Sequence, residues 1–187
     1  MTAAAPAFVS FAPGRVCLFG EHQDYLGLPV IAAAIPLGCR MVVEPRTDGV
    51  WTVCTPQLDF TWSCTAGDAS RLAPESQPGA SAFLRAGLQE ALEAGWNVEG
   101  GGTVMCSVDL PLQAGLSSSS AMVVAWMQAL ARVADVALTP HELARWAHKV
   151  EVAHFGEPGG HMDHVASALG GIHRIHPDWR VEPLDVP

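Results

Sequence analysis

The chain has 187 residues, 49% of them hydrophobic and 16% charged, which suits one compact domain with its own core and is too ordinary a composition for disorder. Its formal net charge is -9 with only ten Lys and Arg, and no basic run is available to neutralise a row of phosphates, so nucleic acid is not an expected partner. A nucleotide stays open, because a phosphate site built from backbone N–H groups and a magnesium ion needs few cationic side chains.

The five cysteines, Cys17, Cys39, Cys54, Cys64 and Cys106, are odd in number and scattered, with no C-x-x-C pair. They read as buried thiols in a reducing compartment. No basic n-region with a long apolar run opens the chain, and no later stretch is apolar enough to span a bilayer, so a cytoplasmic protein without a membrane partner is expected.

In chain order, residues 8–19 begin with strand-forming side chains, and the Pro13-Gly14 pair signals a turn that sends the next residues into a short loop or second strand. Residues 30–35 and 37–43 are apolar runs joined at Pro36. Residues 51–55 and 58–63 alternate polar and apolar around Pro56, the pattern of a hairpin with one buried face. From 65 to 80 the chain is rich in Ala, Ser, Pro and Gly and reads as a surface connection. Residues 83–94 have helical spacing, ended by Gly95 and the 100–102 glycines, and 103–110 is a strand in which Val104, Cys106 and Val108 alternate. After Pro111 comes a serine-rich loop, then an apolar helix from about 119 to 133, where Trp126, Met127 and Leu130 read as core. Thr139, Pro140 and Glu142 spell a capping box at the start of the next helix. There is no internal repeat.

Three segments carry candidate chemistry. Gly115, Leu116, Ser117, Ser118, Ser119 and Ser120 come after a strand and open a helix, where unpaired backbone N–H groups favour an anion. No Lys comes next, so this is not a Walker A loop, and the second glycine of a nucleophile elbow is missing. The segment is either a phosphate loop or a serine-capped helix start. Around residues 20–25, Glu21, His22 and Asp24 gather with Tyr25, a set that accepts hydrogen bonds from a polyhydroxylated ligand or else forms a solvated turn. In the third segment, Glu151 ends a helix, Pro158-Gly159-Gly160 turns, and Asp163 stands at the start of the next. Asp163 is either a proton acceptor for an attacking hydroxyl or a plain helix cap, and Glu151 is within reach of magnesium. The eight histidines show no recognised metal-ligand spacing and read as hydrogen-bonded structural residues.

In this order the three segments resemble the GHMP kinases, the group of galactokinase, homoserine kinase, mevalonate kinase and phosphomevalonate kinase. Gly14-Arg15-Val16, Gly20-Glu21-His22 and Asp24-Tyr25 are similar to the galactokinase signature, residues 111–121 to the family's phosphate loop, and 151–163 again to galactokinase. The resemblance implies an α+β, two-layer fold (ribosomal protein S5 domain 2-like), with a mixed sheet packed against helices. It implies ATP- and Mg2+-dependent phosphorylation of a monosaccharide hydroxyl. Arg15 would stabilise the transferred phosphoryl group, and Asp163 would be the base or electrostatic partner of the anomeric hydroxyl. Glu21, His22 and Asp24, with Asp163, would hold the sugar, residues Gly115 to Ser120 would wrap the nucleotide phosphates, and Ser119 and Glu151 would ligate magnesium. Cys17, Gln23 and Leu26-Gly27-Leu28 depart from galactokinases and are expected to line the sugar pocket, which suggests a different aldose or a sugar acid. The family's third, glycine-rich motif and C-terminal domain have no counterpart in residues 1–187. The chain is therefore expected to be the N-terminal ATP- and sugar-binding half, with residues 178–187 a truncated continuation and the uncovered cleft face able to self-associate. A sugar and ATP sensor, or an inactive fragment, are the alternatives.

Overall fold

The computed structural model describes residues 6–69, 79–111, 114–156 and 158–185. In chain order its regular elements are β1 (Phe8–Phe19), β2 (Val30–Pro45), β3 (Val50–Thr55), β4 (Phe60–Thr65), α1 (Ala66–Ala69), α2 (Ala80–Glu93), β5 (Gly101–Val108), α3 (Ser118–Val133), α4 (Pro140–His148), α5 (Met162–Leu169), β6 (Ile172–Ile175) and β7 (Val181–Pro183). A π-turn, Lys149–Ala153, continues α4.

The described strands form one seven-stranded mixed sheet ordered β4-β3-β5-β2-β6-β7, with β1 on β2. All neighbours are antiparallel except β3 and β5, which run parallel with β4, α1 and α2 between them in the chain. Strand β2 organises the sheet. It pairs with β1 along most of its length, while its other edge serves β5 over Cys39–Pro45 and β6 over Val30–Ala33.

Helix α3 is buried almost all round, from Ser120 to Ala131, as expected of a helix apolar on every side. Trp126 and Met127 within it are fully buried, and Leu130 with them. The Trp126 indole donates to the Leu84 carbonyl at 2.9 Å and meets Trp51 edge-on at 5.1 Å, while Trp51 donates to Val98 O at 2.9 Å. Both of these core indole N–H groups are thus satisfied. A second, smaller cluster of Val30, Ala32, Met162, Val165, Ala166 and Ile175 fixes α5 against the sheet.

Several sequence expectations change. Pro13-Gly14 is a register shift inside one continuous strand, because Pro13 and Arg15, on either side of Gly14, both pair with β2, opposite Gly38 and Ala34. The runs on either side of Pro36 are likewise one strand, with Pro36 and its neighbours outside the paired register at that shift, where no ladder N–H is needed. Gly101 and Gly102 belong to β5 rather than to the helix end. The 65–80 connection includes the short helix α1, and residues 70–78 lie outside the described ones. Residues 181–183 form β7 against β6, so part of the polar, proline-rich segment joins the sheet. Cys39, Cys64 and Cys106 are buried, but Cys17 and Cys54 are only partly so. Among the described residues no helix is long and apolar enough to cross a membrane.

Gly87 of α2 lies directly against α3, and a Cβ there would sit 2.7 Å from Trp126 Cδ1 and 2.8 Å from its Nε1. Helix propensity alone predicts that Gly87→Ala stabilises by about 1 kcal/mol, but overpacking against a fixed indole costs about 1–3 kcal/mol. The variant is expected to unfold at lower urea than the parent, and a midpoint at or above the parent's would show that α2 and α3 are not in this close contact.

Candidate active site

Arg15 organises the cleft. Its side chain leaves β1 just past the register shift and is 8% exposed. Nε donates to Asp163 Oδ1 at 2.7 Å, a terminal nitrogen donates to Gly115 O at 2.7 Å, and the other lies 3.7 Å from Glu21 Oε1. The Arg15 backbone N–H donates to Leu116 O at 3.1 Å, which docks the serine loop on the strand. A guanidinium presents its donors in a rigid fork, so one side chain can address three chain segments at once. The resulting cleft of about 260 Å³ is lined by Arg15, Glu21, His22, Asp24, Ser120, Glu151 and Asp163 together with Tyr25, Val152, Gly159, Gly160, Met162 and His164.

The serine loop is not a capped helix start. Ser117 occupies the N-cap position in the left-handed region, φ 57°, and makes no capping bond. Its hydroxyl is buried without a hydrogen-bond partner among the described residues. Apart from any ligand, the first N–H groups of α3 have no side-chain cap, the arrangement that receives an anion. Asp163 is not a cap either. The N-cap position of α5 falls to His161, and Asp163 in the first turn gives its carboxylate to Arg15.

Glu151 projects from the π-turn and is held by the other two elements of the cleft. Oε2 lies 2.8 Å from His164 Nε2, and the Ser119 and Ser120 hydroxyls stand near the same carboxylate. Burial pushes its pKa up, but the His164 bond and charge and the two serines outweigh burial and hold it below the usual carboxylate value. A carboxylate with serine hydroxyls beside it offers a hard, oxygen-only donor set that fits Mg2+. Among the described residues no group of three or more His, Cys, Asp and Glu gathers at ligand distance. A cation here would therefore draw its remaining ligands from phosphate oxygens and water, as magnesium commonly does.

At the opposite wall, Asp24 Oδ2 accepts from the Met162 N–H at 3.2 Å. A Cβ on Gly160 would overlap this carboxylate, so only glycine lets the Pro-Gly-Gly turn pass so close. Asp24 is therefore an anchor for the start of α5 as well as a cleft residue. Glu21 and His22 are exposed at the mouth, His22 with φ 64°. Behind the turn, His161 stacks on Trp179 at 4.1 Å and bonds to His176 O at 3.0 Å, and His148 lies beside the Gly159 backbone. Burial lowers the His148 pKa to about 4.

All the predicted site residues that line the cleft come from segments far apart in sequence. Of the serine loop only Ser120 lines the cleft; Gly115 to Ser119 are not among the lining residues, although the Gly115 and Leu116 carbonyls bond to Arg15. The departures at Cys17, Gln23 and Leu26-Gly27-Leu28 are not among the lining residues. The Cys17 thiol instead turns toward the Phe19 and Ile31 carbonyls, at 3.4 and 3.8 Å, and is raised to about 11 by burial and by the nearby Glu21 carboxylate. Leu26 and Leu28 point into solvent. Sequence reading missed His164 as the partner of Glu151, and its only local signal is adjacency to Asp163 on α5.

Residues 82–171 match the family described as GHMP kinases N terminal domain, and residues 2–45 match the galactokinase galactose-binding signature. A mevalonate kinase from Thermococcus sibiricus is 33% identical over 169 residues, covering 86% of this chain and 49% of its own. A galactokinase from Exiguobacterium sibiricum is 30% identical over 161 residues, covering 86% of this chain and 41% of its own. The chain thus spans about half the length of the curated relatives it matches. Among solved structures, Lactococcus lactis galactokinase complexed with galactose superposes with a TM-score of 0.85 at 21% identity over 98% of this chain and 49% of that one. Methanococcus jannaschii mevalonate kinase gives 0.81 at 19% identity over 100% and 57%. At these identities the superpositions establish the fold, a mixed sheet with helices as expected.

The histidines behind the turn make the site acid-sensitive. With a folded pKa of about 4 against the ordinary 6.5, His148 takes up its proton first in the unfolded chain. Stability therefore falls as pH drops from about 6.5 toward about 4, and buried His161 and partly buried His173 add the same sign. His148→Gln is expected to flatten the fall in Tm between pH 7 and 4.5, as read by thermal melts. Identical slopes in variant and parent would remove His148 from the acid response.

Proposed function

Because the chain belongs to the GHMP kinase family through this N-terminal domain and its galactose-binding signature, we propose that it is the ATP- and sugar-binding half of an enzyme that transfers a phosphoryl group from ATP to a monosaccharide hydroxyl. The observation that carries the reading is Arg15, whose one guanidinium bonds both the serine loop at Gly115 and the acid Asp163. Phosphate site and candidate base are thereby held on one cleft, at a spacing set by a single side chain.

In this reading, the first-turn N–H groups of α3 and the Gly115 to Ser120 backbone hold the nucleotide phosphates. Arg15 stabilises charge that develops on the transferred group, and Asp163, fixed by Arg15 Nε, accepts the proton of the attacking hydroxyl or stabilises it electrostatically. Glu21, His22 and Asp24 orient the ring. Ser119 and Glu151 would hold Mg2+, whose chemistry when bound is neutralisation of phosphate charge. Catalysis is then mostly positioning and electrostatics.

A hydroxylated ring is favoured over an isoprenoid precursor by the galactose-binding signature over residues 2–45 and by the acceptor cluster of Glu21 and Asp24 at the mouth. Calorimetry with ATP and Mg2+, followed by a panel of free sugars with coupled ADP detection, tests the reading. Absence of nucleotide binding would sink it, and binding without turnover on any sugar would favour a sensor or an inactive half. In whichever form of the protein turns over, Asp163→Ala is expected to lower kcat by about 10²–10⁴-fold with ATP affinity unchanged. Turnover at the parent rate would remove Asp163 from the mechanism.

A further inference from the structure

Glu90 lies on α2, outside the cleft, and is the one acidic side chain of that helix to be buried. Its side chain is 8% exposed, yet both oxygens have partners: Oε1 lies 3.1 Å from His154 Nδ1 and Oε2 pairs with the cationic Lys149 Nζ. Those two residues bracket the π-turn, Lys149 opening it and His154 closing it. The backbone joins the same pair, His154 N–H donating to Lys149 O at 2.8 Å. One carboxylate therefore straps, through side chains, the residues that the π hydrogen bond joins through the main chain.

π-turns are rare, less favourable than the α-helix they interrupt, and concentrated at functional sites. This one contains Glu151, which it directs toward His164, Ser119 and Ser120 while Val150 goes into the core. Relaxing it to α-helix would rotate its residues about the axis by up to about 100°. An apolar residue at position 90 would fill the same space without burying a charge, and such replacements are often neutral or stabilising. Stability alone thus gives little reason for a carboxylate there.

We propose that Glu90 is a positioning residue that clamps the Lys149–Ala153 π-turn and thereby holds Glu151 in the cleft. The clamp is a statement about this fold, and its consequence for metal binding rests on the function proposed above.

Two readouts separate the two. Hydrogen exchange followed by mass spectrometry reports the turn itself. In Glu90→Gln, which keeps the volume and the His154 bond, and in Glu90→Ala, amides of residues 150–154 are expected to exchange faster while those of α3 stay protected. Calorimetry of ATP with and without Mg2+ reports the consequence. The gain in affinity that Mg2+ confers is expected to drop about tenfold in Glu90→Ala and by less in Glu90→Gln, with affinity for ATP alone unchanged. Parent-like exchange at 150–154 in folded Glu90→Gln overturns the clamp. Faster exchange there with an unchanged Mg2+ gain overturns the link to Glu151. A parent chain that binds no ATP refutes the proposed function instead, and exchange then decides the clamp alone.

Discussion

The structure turns on one buried cation. Arg15 is almost fully removed from water, and a buried guanidinium is tolerable only when its donors are filled. Two of them go to a backbone carbonyl from the serine loop and a carboxylate from α5, 100 and 148 residues away in the chain, and Glu21 stands 3.7 Å from the remaining nitrogen. The requirement to neutralise and satisfy Arg15 therefore draws loop, strand and helix to one point. The same requirement makes the point polar, concave and electrostatically organised.

Around that point the supports are unequal in character. Helix α3 is buried over most of its surface and packed through Trp126 between α2 and β3, which gives the serine loop an apolar platform. The wall formed by the π-turn and the Pro-Gly-Gly turn is built from polar contacts instead: Glu90 on Lys149 and His154, Asp24 on Met162, His148 on Gly159, and His161 on Trp179 and His176. Apolar packing tolerates small shifts, whereas hydrogen bonds to buried groups fail within a fraction of an ångström. Precision at the cleft is thus concentrated where the backbone is least regular.

The buried polar network also explains why histidines are abundant without forming a metal centre among the described residues. His161 bonds to a carbonyl, His164 to a carboxylate, and His148 lies against the Gly159 turn, and burial lowers the pKa of His148 and His161. His148 and His161 thus fill the space between α4, α5 and the segment leading to β7 with polar groups whose charged form burial disfavours.

By itself, the sequence determined the elements and the chemistry on offer. Alternation marked β3, β4 and β5, the capping box at Thr139 and Glu142 marked α4, and motif order marked Arg15, the serine loop, Glu151 and Asp163, because these signals lie within a few residues of one another. Tertiary structure alone decided what each group touches. Pro13-Gly14 became a shift inside one strand because both flanks found β2. Ser117 and Asp163 were freed from capping because Arg15 and the left-handed backbone claimed the local geometry. Cys17 and Leu26 to Leu28 left the cleft, and Glu90 gained a role no local pattern announces. Contacts between residues 60 to 150 positions apart depend on packing that no short window of sequence contains.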